Sequence, residues 1–400
     1  MQALTTTTDT LPTQNLDSPS RGYDAVVLGL GAMGCATLYH LARRGCRVLG
    51  IEQFAPRHKL GSSHGDSRII REMYFEHPLY VPLVQRAYEL WRELEEYRGS
   101  KLMTITGGLM IGPRDGSVVT GTLKSAAVHG LKHELLDAHE VRSRYPAFRV
   151  DDDLVAVLDP RAGYLDPDAC NAAQIELAVS AGAEARFEEP VMEWSADGQG
   201  VRVKTNANTY IADKLVIAAG PWTKNVLSGF ELPLTIERQT VFWLAPDAGN
   251  DAFDRSRFPI YAYEYKPGQI CYGFPRLERG VKASVMHGGE TGDHPDTVRR
   301  PIDNHDVNAL RTALKPVLPE LSAAPLRESE TCLFTNTPDH DFIIDFHPNH
   351  PQVLISSPCS GHGFKFASAI GELQADLLTT GRTSFDLSPF SLGRFSGKKN

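Results

Sequence analysis

The chain of 400 residues is 42% hydrophobic and 22% charged, and its formal net charge is −8. This length exceeds the size at which a single core stops growing, so two domains are expected. The acidic balance, without a run of basic residues, excludes a nucleic-acid-binding groove, which needs clustered Lys and Arg. No apolar run approaches the roughly 20 residues that cross a bilayer, so no membrane partner is expected either.

The N-terminal segment and the cysteines carry no sign of export. Residues 1–22 are rich in Thr, Ser, Asp and Gln, and they lack the basic start and apolar core of a signal peptide. This composition predicts a disordered tail. The six cysteines are scattered and form no CxxC pair, which predicts free thiols in a reducing, cytoplasmic compartment and no metal site.

The first ordered elements predict a strand, a glycine-rich turn, a helix and a second strand. Residues 23–28 contain the apolar run Ala25–Leu28 and are followed by Gly-Leu-Gly-Ala-Met-Gly at 29–34, which we call the glycine-rich turn. Apolar residues at helical spacing come next, and a second apolar run at 48–51 ends at Glu52. This order is the context in which such a turn binds a dinucleotide.

Each residue of that pattern has a physical role in a dinucleotide site. Gly29 permits a tight turn, Gly31 lets a pyrophosphate approach the backbone, and Gly34 lets the helix pack closely on the strand. The helix N-terminus attracts the phosphate charge. Glu52 is placed to bind ribose hydroxyls at the end of the second strand. The alternative is a glycine-rich turn that binds nothing.

Later elements predict the same α/β pattern interrupted by a β-rich region. A helix is expected over 80–94, strands at 101–112, 236–244, 270–274 and 281–286, a buried strand before Gly220, and a strand at 352–356 with a helix from about 363. We therefore predict a two-domain α/β fold in which an antiparallel substrate domain is inserted into a discontinuous Rossmann-like FAD domain. The expected FAD domain comprises 23–106, 150–229 and 330–392, and the substrate domain comprises 107–149 and 230–329.

The discontinuity favours FAD over NAD, because nicotinamide enzymes usually keep the doubly wound domain contiguous. A second GxGxxG pattern, which would serve a separate nicotinamide, is missing from the sequence. The pattern therefore favours an oxidase over a flavin reductase that uses NADPH.

Several sequence blocks after residue 22 resemble the family of monomeric sarcosine oxidases, N-methyltryptophan oxidases and L-pipecolate oxidases. The blocks are Gly61–Arg71 with Tyr74 and Glu76, Tyr272–Pro275, Lys282, Pro295–Val298, Cys332 with Thr335–Asp339, Phe342–Pro348 and Ser360–Phe366. Their common order along the chain is what makes the resemblance specific.

The resemblance implies that FAD is attached through a thioether at Cys332. A thiolate is the nucleophile in such a reaction. The alternative is a buried structural thiol. Cys359 is the nearest rival, but family members usually carry an aromatic or aliphatic residue there. Gly220, Gly361, Gly363 and Lys365 complete the expected cofactor-binding set.

The resemblance also implies a substrate site for an amino acid. Arg71 and Lys365 are expected to bind the carboxylate. The alternative for Arg71 is a surface ion pair with Glu76, and the alternative for Lys365 is a solvated position in the first turn of a helix. Lys282 takes the place of the family's oxygen-activating lysine. Side chains expected beside the flavin are His64, Ser67 and Arg68, and those expected near the substrate are Tyr272 and His287.

These features predict an FAD-dependent oxidase of a secondary amino acid that releases hydrogen peroxide, as a monomer or small homo-oligomer. Phe334 replaces a family tyrosine, and Pro358-Cys359 replaces a Gly-aromatic pair. Both changes lie at the expected pocket rim and predict a preferred substrate other than sarcosine. Alternatives are a fructosyl amino acid oxidase, a dehydrogenase that uses another electron acceptor, and a non-catalytic flavoprotein.

Overall fold

The structure is a computed structural model and describes residues 22–227 and 229–396. The predicted tail at 1–22 lies outside the described residues, except for Gly22. Twenty strands are described, in chain order β1 Tyr23–Leu28, β2 Val48–Ile51, β3 Arg68–Ile70, β4 Met103–Ile105, β5 Gly108–Pro113, β6 Glu134–Asp137, β7 Leu154–Asp159, β8 Gly163–Leu165, β9 Glu184–Arg186, β10 Val191–Asp197, β11 Gly200–Thr205, β12 Thr209–Ile217, β13 Thr235–Leu244, β14 Ile260–Lys266, β15 Gln269–Leu277, β16 Gly280–Met286, β17 Thr291–Gly292, β18 Leu326–Asn336, β19 Ile343–His347 and β20 His350–Ser357.

The helices of the described residues cover the parallel sheet or pack on the larger sheet. Residues 220–222 and 364–366 add short 3₁₀ turns beside the site described below. The helices are α1 Ala32–Arg43, α2 Val81–Arg98, α3 Ser117–His129, α4 Ala138–Arg144, α5 Pro167–Ser180, α6 Thr223–Val226, α7 Asn304–Leu314, α8 Pro319–Ala323 and α9 Ala367–Thr380.

The first sheet has eight strands and a parallel centre. Strands β9, β2, β1, β12 and β20 run parallel in that order. Antiparallel β10 and β11 extend it from β12, and β19 pairs with β20. The central strands are buried on both faces, which is why they read as continuous apolar runs. Helices α1, α5 and α9 cover one face, and β11 with the apolar residues Leu227, Leu232 and Leu234 covers the other.

The glycine-rich turn lies at the carboxyl end of the central strand β1. Gly29 has a φ of +86°, which favours glycine at the tight turn. A Cβ atom on Gly34 would lie 1.8 Å from the Gly29 carbonyl oxygen, so only glycine lets α1 approach the strand this closely. The predicted strand–turn–helix–strand unit is therefore present in the structure.

The second sheet has nine strands in the order β17-β13-β16-β15-β14-β5-β7-β6, with β18 paired along the other edge of β13. The expected antiparallel sheet is mixed, because β5 and β14 run parallel. A third sheet joins β3, β8 and β4. The strand expected over 101–112 is interrupted at Gly107, whose φ is +73°, so its two halves join different sheets.

Strand pairing shows that some segments expected in the FAD domain contribute strands to the nine-stranded sheet. β7 and β18 hydrogen-bond within the nine-stranded sheet, although both lie largely in segments assigned from the sequence to the FAD domain. The partition of the chain into domains at the expected boundaries remains a prediction. All six cysteines are unpaired, and none of the described helices is long and apolar enough to cross a bilayer.

Candidate active site

A large cavity lies between the eight-stranded and nine-stranded sheets. Its volume is about 1000 Å³. The predicted site residues that line it are Gly29, Gly31, Glu52, Ser67, Arg68, Arg71, Gly220, Tyr272, Lys282, Cys332, Gly361, Gly363 and Lys365. Residues far apart in the sequence thus meet around one space, as expected for a ligand site between two sheets.

Three predicted site residues do not form part of the cavity wall described here. Gly34 lies beneath the turn, where it allows the close packing of α1. His64 is buried behind the wall, and His287 lies beside the wall residues Phe334 and Gly361. A direct contact of either histidine with a ligand therefore remains a prediction.

A buried carboxylate lies at the cavity end beside the glycine-rich turn. Glu52 is buried, and it accepts hydrogen bonds from the backbone N–H of Leu30 at 2.8 Å and of Phe54 at 3.1 Å. Ser63 Oγ accepts a hydrogen bond from the backbone N–H of Ala32 at 3.1 Å. These contacts hold the Glu52 carboxylate at the end of β2, beside the N-terminus of α1.

Lys282 extends from β16 to the loop formed by residues 64–67, which we call loop 64–67. Its Nζ donates to the carbonyl oxygens of Gly65 at 2.5 Å and Ser67 at 2.9 Å. The loop presents these oxygens through left-handed backbone at Gly65 and Asp66, with φ values of 95° and 60°. Burial, reinforced by the nearby charge of Arg68, lowers the pKa of Lys282 to about 7.

Glu330 holds the outer side of loop 64–67. Its Oε2 lies 3.1 Å from His64 Nδ1, and its Oε1 accepts from Lys59 at 2.5 Å and Arg279 at 2.8 Å. Burial opposes the ionised form of Glu330, but these three hydrogen bonds outweigh burial and hold the pKa well below its usual range. Burial also lowers the pKa of His64, against the effect of Glu330.

Arg71 is buried and forms an ion pair across the cavity wall. One terminal nitrogen lies 2.6 and 2.5 Å from the two carboxylate oxygens of Glu76. The guanidinium carbon lies 4.1 Å from the ring centroid of Tyr74 and 4.0 Å from that of Phe75. The Glu76 pair considered from the sequence is therefore present, but it faces the cavity, with Arg71 buried and Glu76 half-buried.

Lys365 lies beside Arg71 and is 5% exposed. Its Nζ donates to the carbonyl oxygen of His362 at 2.7 Å and to Tyr74 Oη at 3.4 Å. Burial and the nearby charge of Arg71 lower the pKa of Lys365 to about 7, although Glu76 opposes this shift. The alternative of a solvated lysine is wrong, because the 3₁₀ turn Phe364–Phe366 directs the side chain inward.

Cys332 lies on β18 opposite Gln239 of β13, and it is 4% exposed. Two residues further along the strand, Phe334 also lines the cavity. Tyr272 on β15 lines the same wall, and burial raises its pKa to about 12. Cys359 lines the cavity too, so both candidate cysteines border one space.

His287 is tied to a buried carboxylate beside this wall. Its Nδ1 lies 3.0 Å from Glu237 Oε2, and Glu237 also accepts from Asn336 Nδ2 at 2.6 Å. His287 has a left-handed φ of 54°, which is unusual for a residue with a Cβ atom. The Phe334 ring lies 5.3 Å from the imidazole, so His287 supports this wall residue.

Sequence reasoning assigned no role to several side chains of this region. Tyr74 and His362 contact the carboxyl-binding candidates, and Glu330 holds His64. His362 stands in the quoted block Ser360–Phe366 and Glu330 two residues before Cys332, but hydrogen-bond partners this distant in sequence leave no local signal.

The cavity suits a dinucleotide cofactor with a large ring system. Gly31 lies in the cavity wall at the N-terminus of α1, where phosphate charge is favoured, and Glu52 follows β2, where a carboxylate can bind ribose. Among the described residues, the buried oxygens Ser67 Oγ, Asn171 Oδ1 and Thr335 Oγ1 belong to wall residues and have no partner within the protein. Buried polar atoms are rarely left unpaired, so these atoms fit contacts to a bound group.

Comparison with known proteins supports this assignment. A sequence profile of the FAD dependent oxidoreductase family matches residues 24–377. Monomeric sarcosine oxidase of Streptomyces avermitilis is 42% identical over 378 residues, which are 94% of this chain and 98% of the relative. N-methyl-L-tryptophan oxidase of Salmonella agona is 35% identical over 377 residues, which are 94% of this chain and 99% of the relative.

A solved structure extends the similarity to the fold. The open form of NikD, an unusual amino acid oxidase essential for nikkomycin biosynthesis, has a TM-score of 0.80 at 26% identity and covers 93% of this chain and 98% of its own. The predicted α/β fold and the FAD cofactor are thereby confirmed. The chain belongs to the FAD-dependent oxidoreductase family, in the group that includes the monomeric sarcosine oxidases and N-methyl-L-tryptophan oxidases.

Proposed function

We propose that the protein is an FAD-dependent oxidase of a secondary amino acid, with oxygen as the electron acceptor and hydrogen peroxide as a product. The observation that carries this proposal is the pair of buried cations, Arg71 and Lys365, at one end of the cavity. Both contact the Tyr74 ring, with distances of 4.1 Å from Arg71 Cζ and 5.1 Å from Lys365 Nζ to its centroid. We call Arg71 and Lys365 the carboxylate site.

The carboxylate site orients the substrate for oxidation. An arginine provides parallel donors and a lysine a point charge, and both are strengthened by the low dielectric of the cavity. The substrate loses two electrons and two protons as its C–N bond becomes C=N, and oxygen takes up the same number to give hydrogen peroxide. FAD, when bound, supplies the electron transfer between these two half-reactions.

Lys282 serves the half-reaction with oxygen. Negative charge develops on oxygen when it accepts the first electron, and a fixed cation in a dry site stabilises this charge. Two backbone carbonyls hold the ammonium in place, and its surroundings are the aromatic rings of Trp243 and Phe274 at 5.4 and 5.1 Å. Loop 64–67 thus positions a cation that has no buried carboxylate within hydrogen-bonding distance among the described residues.

Cys332 is the proposed attachment point of FAD through a thioether. It lies on a paired strand and lines the cavity. Arg68, which donates to the carbonyl oxygens of Ser62 at 2.7 Å and Ser67 at 2.8 Å, is a fixed positive charge on the same wall. Such a charge favours the anionic form of an electron-accepting ring.

The wall beyond the carboxylate site favours an apolar substituent on the substrate. Phe334, Ile270, Phe274 and Met286 contribute side chains without hydrogen-bonding groups. This surface suits an N-methyl amino acid with a larger side chain, such as N-methyltryptophan, or a cyclic amino acid such as pipecolate or proline. It offers little to the sugar hydroxyls of a fructosyl amino acid.

The substrate class is tested by a peroxide assay on the purified holoenzyme. We expect peroxide from at least one of N-methyl-L-tryptophan, L-pipecolate and L-proline, at a higher kcat/KM than from sarcosine, because the wall is apolar. Fructosyl-glycine is the comparison substrate. Activity on fructosyl-glycine alone would contradict the proposal, and so would a failure of every amine to bleach the bound FAD without oxygen.

Replacement of Cys332 tests covalent attachment. In the denatured wild-type protein, mass spectrometry is expected to detect the polypeptide mass plus that of FAD. The Cys332→Ala protein should lose this added mass because its nucleophilic sulfur is gone. Cys359→Ala, which changes the other cysteine of the cavity wall, should retain it. Retention of the added mass in Cys332→Ala would rule out this attachment point.

Replacement of Lys282 separates the two half-reactions. Lys282→Met should slow reoxidation of reduced FAD by oxygen by about 10²-fold or more, since one electrostatic stabiliser of a transition state contributes this much. Anaerobic reduction by substrate, followed by stopped-flow absorbance, should change little. Lys266→Met, at an exposed lysine, is the matched control. Unchanged reoxidation would instead favour a dehydrogenase with another acceptor.

The carboxylate site should depend on pH through Lys365. Its pKa is lowered to about 7, so the cation that binds a carboxylate is present below pH 7 and is lost as the pH rises. We expect the Kd for propionate, measured from the absorbance of bound FAD, to rise by up to about tenfold between pH 7 and 9. The rise should vanish in Lys365→Met. The same pH dependence in both proteins would contradict this role.

A further inference from the structure

A buried chain of hydrogen bonds leads from Lys365 to the protein surface. Lys365 Nζ lies 3.4 Å from Tyr74 Oη, and Tyr74 Oη lies 2.5 Å from His362 Nδ1. His362 Nε2 in turn lies 3.0 Å from the carbonyl oxygen of His340, an exposed residue. Tyr74 and His362 belong to segments almost 290 residues apart, so only the fold creates this chain.

The carbonyl oxygen of His340 determines which atom donates and which accepts in each of these hydrogen bonds. A backbone carbonyl only accepts, so His362 Nε2 carries a proton and donates it to His340. In an uncharged imidazole, Nδ1 is then the acceptor and takes the hydroxyl proton of Tyr74. The Tyr74 oxygen is left with lone pairs, which the ammonium of Lys365 requires because it only donates.

Packing holds His362 in the orientation that this direction needs. Its ring stacks on Phe342, with centroids 4.9 Å apart and planes 25° apart, and the edge of Tyr80 meets it at 5.5 Å. Burial lowers the pKa of His362 to about 4, although Glu76 opposes this shift. The imidazole is therefore uncharged at neutral pH, and the Nδ1 acceptor persists there.

These hydrogen bonds determine which N–H donors of Lys365 remain free for a ligand. One N–H of the ammonium points to the His362 carbonyl at 2.7 Å and a second to Tyr74 Oη at 3.4 Å. An ammonium has three donors, so one is left for a ligand in the cavity. The Tyr74 ring also supports Arg71 at 4.1 Å, so one side chain contacts both cations of the carboxylate site.

We propose that Tyr74 and His362 are positioning residues for substrate binding: their directed hydrogen bonds orient Lys365 so that its remaining N–H faces the carboxylate. The inference rests on the proposed role of Arg71 and Lys365 as the carboxylate site. Tyr74 and His362 act through Lys365 and take no part in electron transfer, so their loss should weaken carboxylate binding and leave the chemical step nearly unchanged.

Tyr74→Phe removes the hydroxyl and keeps the ring beneath Arg71. We expect propionate to bind the holoenzyme about fivefold more weakly, the effect of losing one ordinary hydrogen bond. The absorbance of bound FAD reports binding without turnover, and propionamide is the uncharged control ligand. Tyr80→Phe is the control, because it removes a hydroxyl from a ring that packs against Tyr74. The Tyr80 hydroxyl donates to Asp341 and takes no part in the hydrogen bonds that reach Lys365, so propionate binding should stay within about twofold of wild type.

His362 gives a second test with a conservative rescue. His362→Ala deletes the acceptor for Tyr74, whereas His362→Asn restores an oxygen near the position of Nδ1. We expect KM for the amino acid substrate to rise several-fold in His362→Ala with little change in kcat, and His362→Asn to recover most of that loss. Equal falls in kcat for both variants, with KM unchanged, would mean that His362 is merely structural and would overturn the inference.

Lys365→Met separates this inference from the proposed function. If Lys365→Met weakens propionate binding while Tyr74→Phe binds like wild type, the carboxylate site stands and the positioning role is wrong. If Lys365→Met leaves binding unchanged, both the carboxylate site and the positioning role are wrong. Weaker binding in Lys365→Met and Tyr74→Phe, but not in Tyr80→Phe, supports both.

Discussion

The cost of burying positive charge governs how this site is built. Arg71, Lys282 and Lys365 are 4, 1 and 5% exposed, and a buried cation without partners is strongly unfavourable. Each cation is held by a different partner set: a carboxylate and two aromatic rings for Arg71, two loop carbonyls for Lys282, and a carbonyl with a phenol oxygen for Lys365. These partners keep the cations inside, where a low dielectric strengthens their action on a ligand.

The two lysines and the arginine receive different kinds of charge compensation. Carbonyl dipoles compensate an ammonium only in part, so burial lowers the pKa of Lys282 and Lys365 to about 7. Arg71 instead has the full negative charge of Glu76. Burial raises the pKa of Glu76, but Arg71, His362 and Lys365 together outweigh burial and lower it. In the proposed carboxylate site, a substrate carboxylate would meet one cation that is already paired and one with a donor to spare, and Lys365 would contribute the pH-sensitive part of binding.

The two sheets contribute different parts of the site. The parallel sheet supplies the glycine-rich turn and Glu52, because the carboxyl ends of its strands meet at one edge. The nine-stranded sheet supplies Lys282 and Cys332 from regular strands, which hold side chains more rigidly than loops do. Loop 64–67 packs on the nine-stranded sheet, since it receives Lys282 of β16 on one side and is tied through His64 to Glu330 of β18 on the other.

The sequence predicts those features that depend on neighbouring residues, and it does not predict those that depend on residues far apart along the sequence. The glycine-rich turn, the helix predicted over 80–94 and the strand at 236–244 follow from local patterns, and the structure has them as the turn at 29–34, α2 and β13. The strand expected over 101–112 is wrong in detail because Gly107 turns the chain between two sheets. The pairing of β18 with β13 was not predicted, since strand partners distant in sequence leave no periodic signal.

The sequence by itself determined the cofactor class and the residues that stand in the family blocks, because a phosphate-binding turn and an ordered set of motifs are local features. Only the tertiary structure decided what those residues touch. Arg71 could be assigned to a surface ion pair or to a ligand, and the fold buries Arg71 in an ion pair that faces the cavity. Lys365, Tyr74 and His362 form one series of hydrogen bonds only because the fold brings together the segment before α2 and the segment before α9, and a hydrogen bond requires its two atoms to be in close contact.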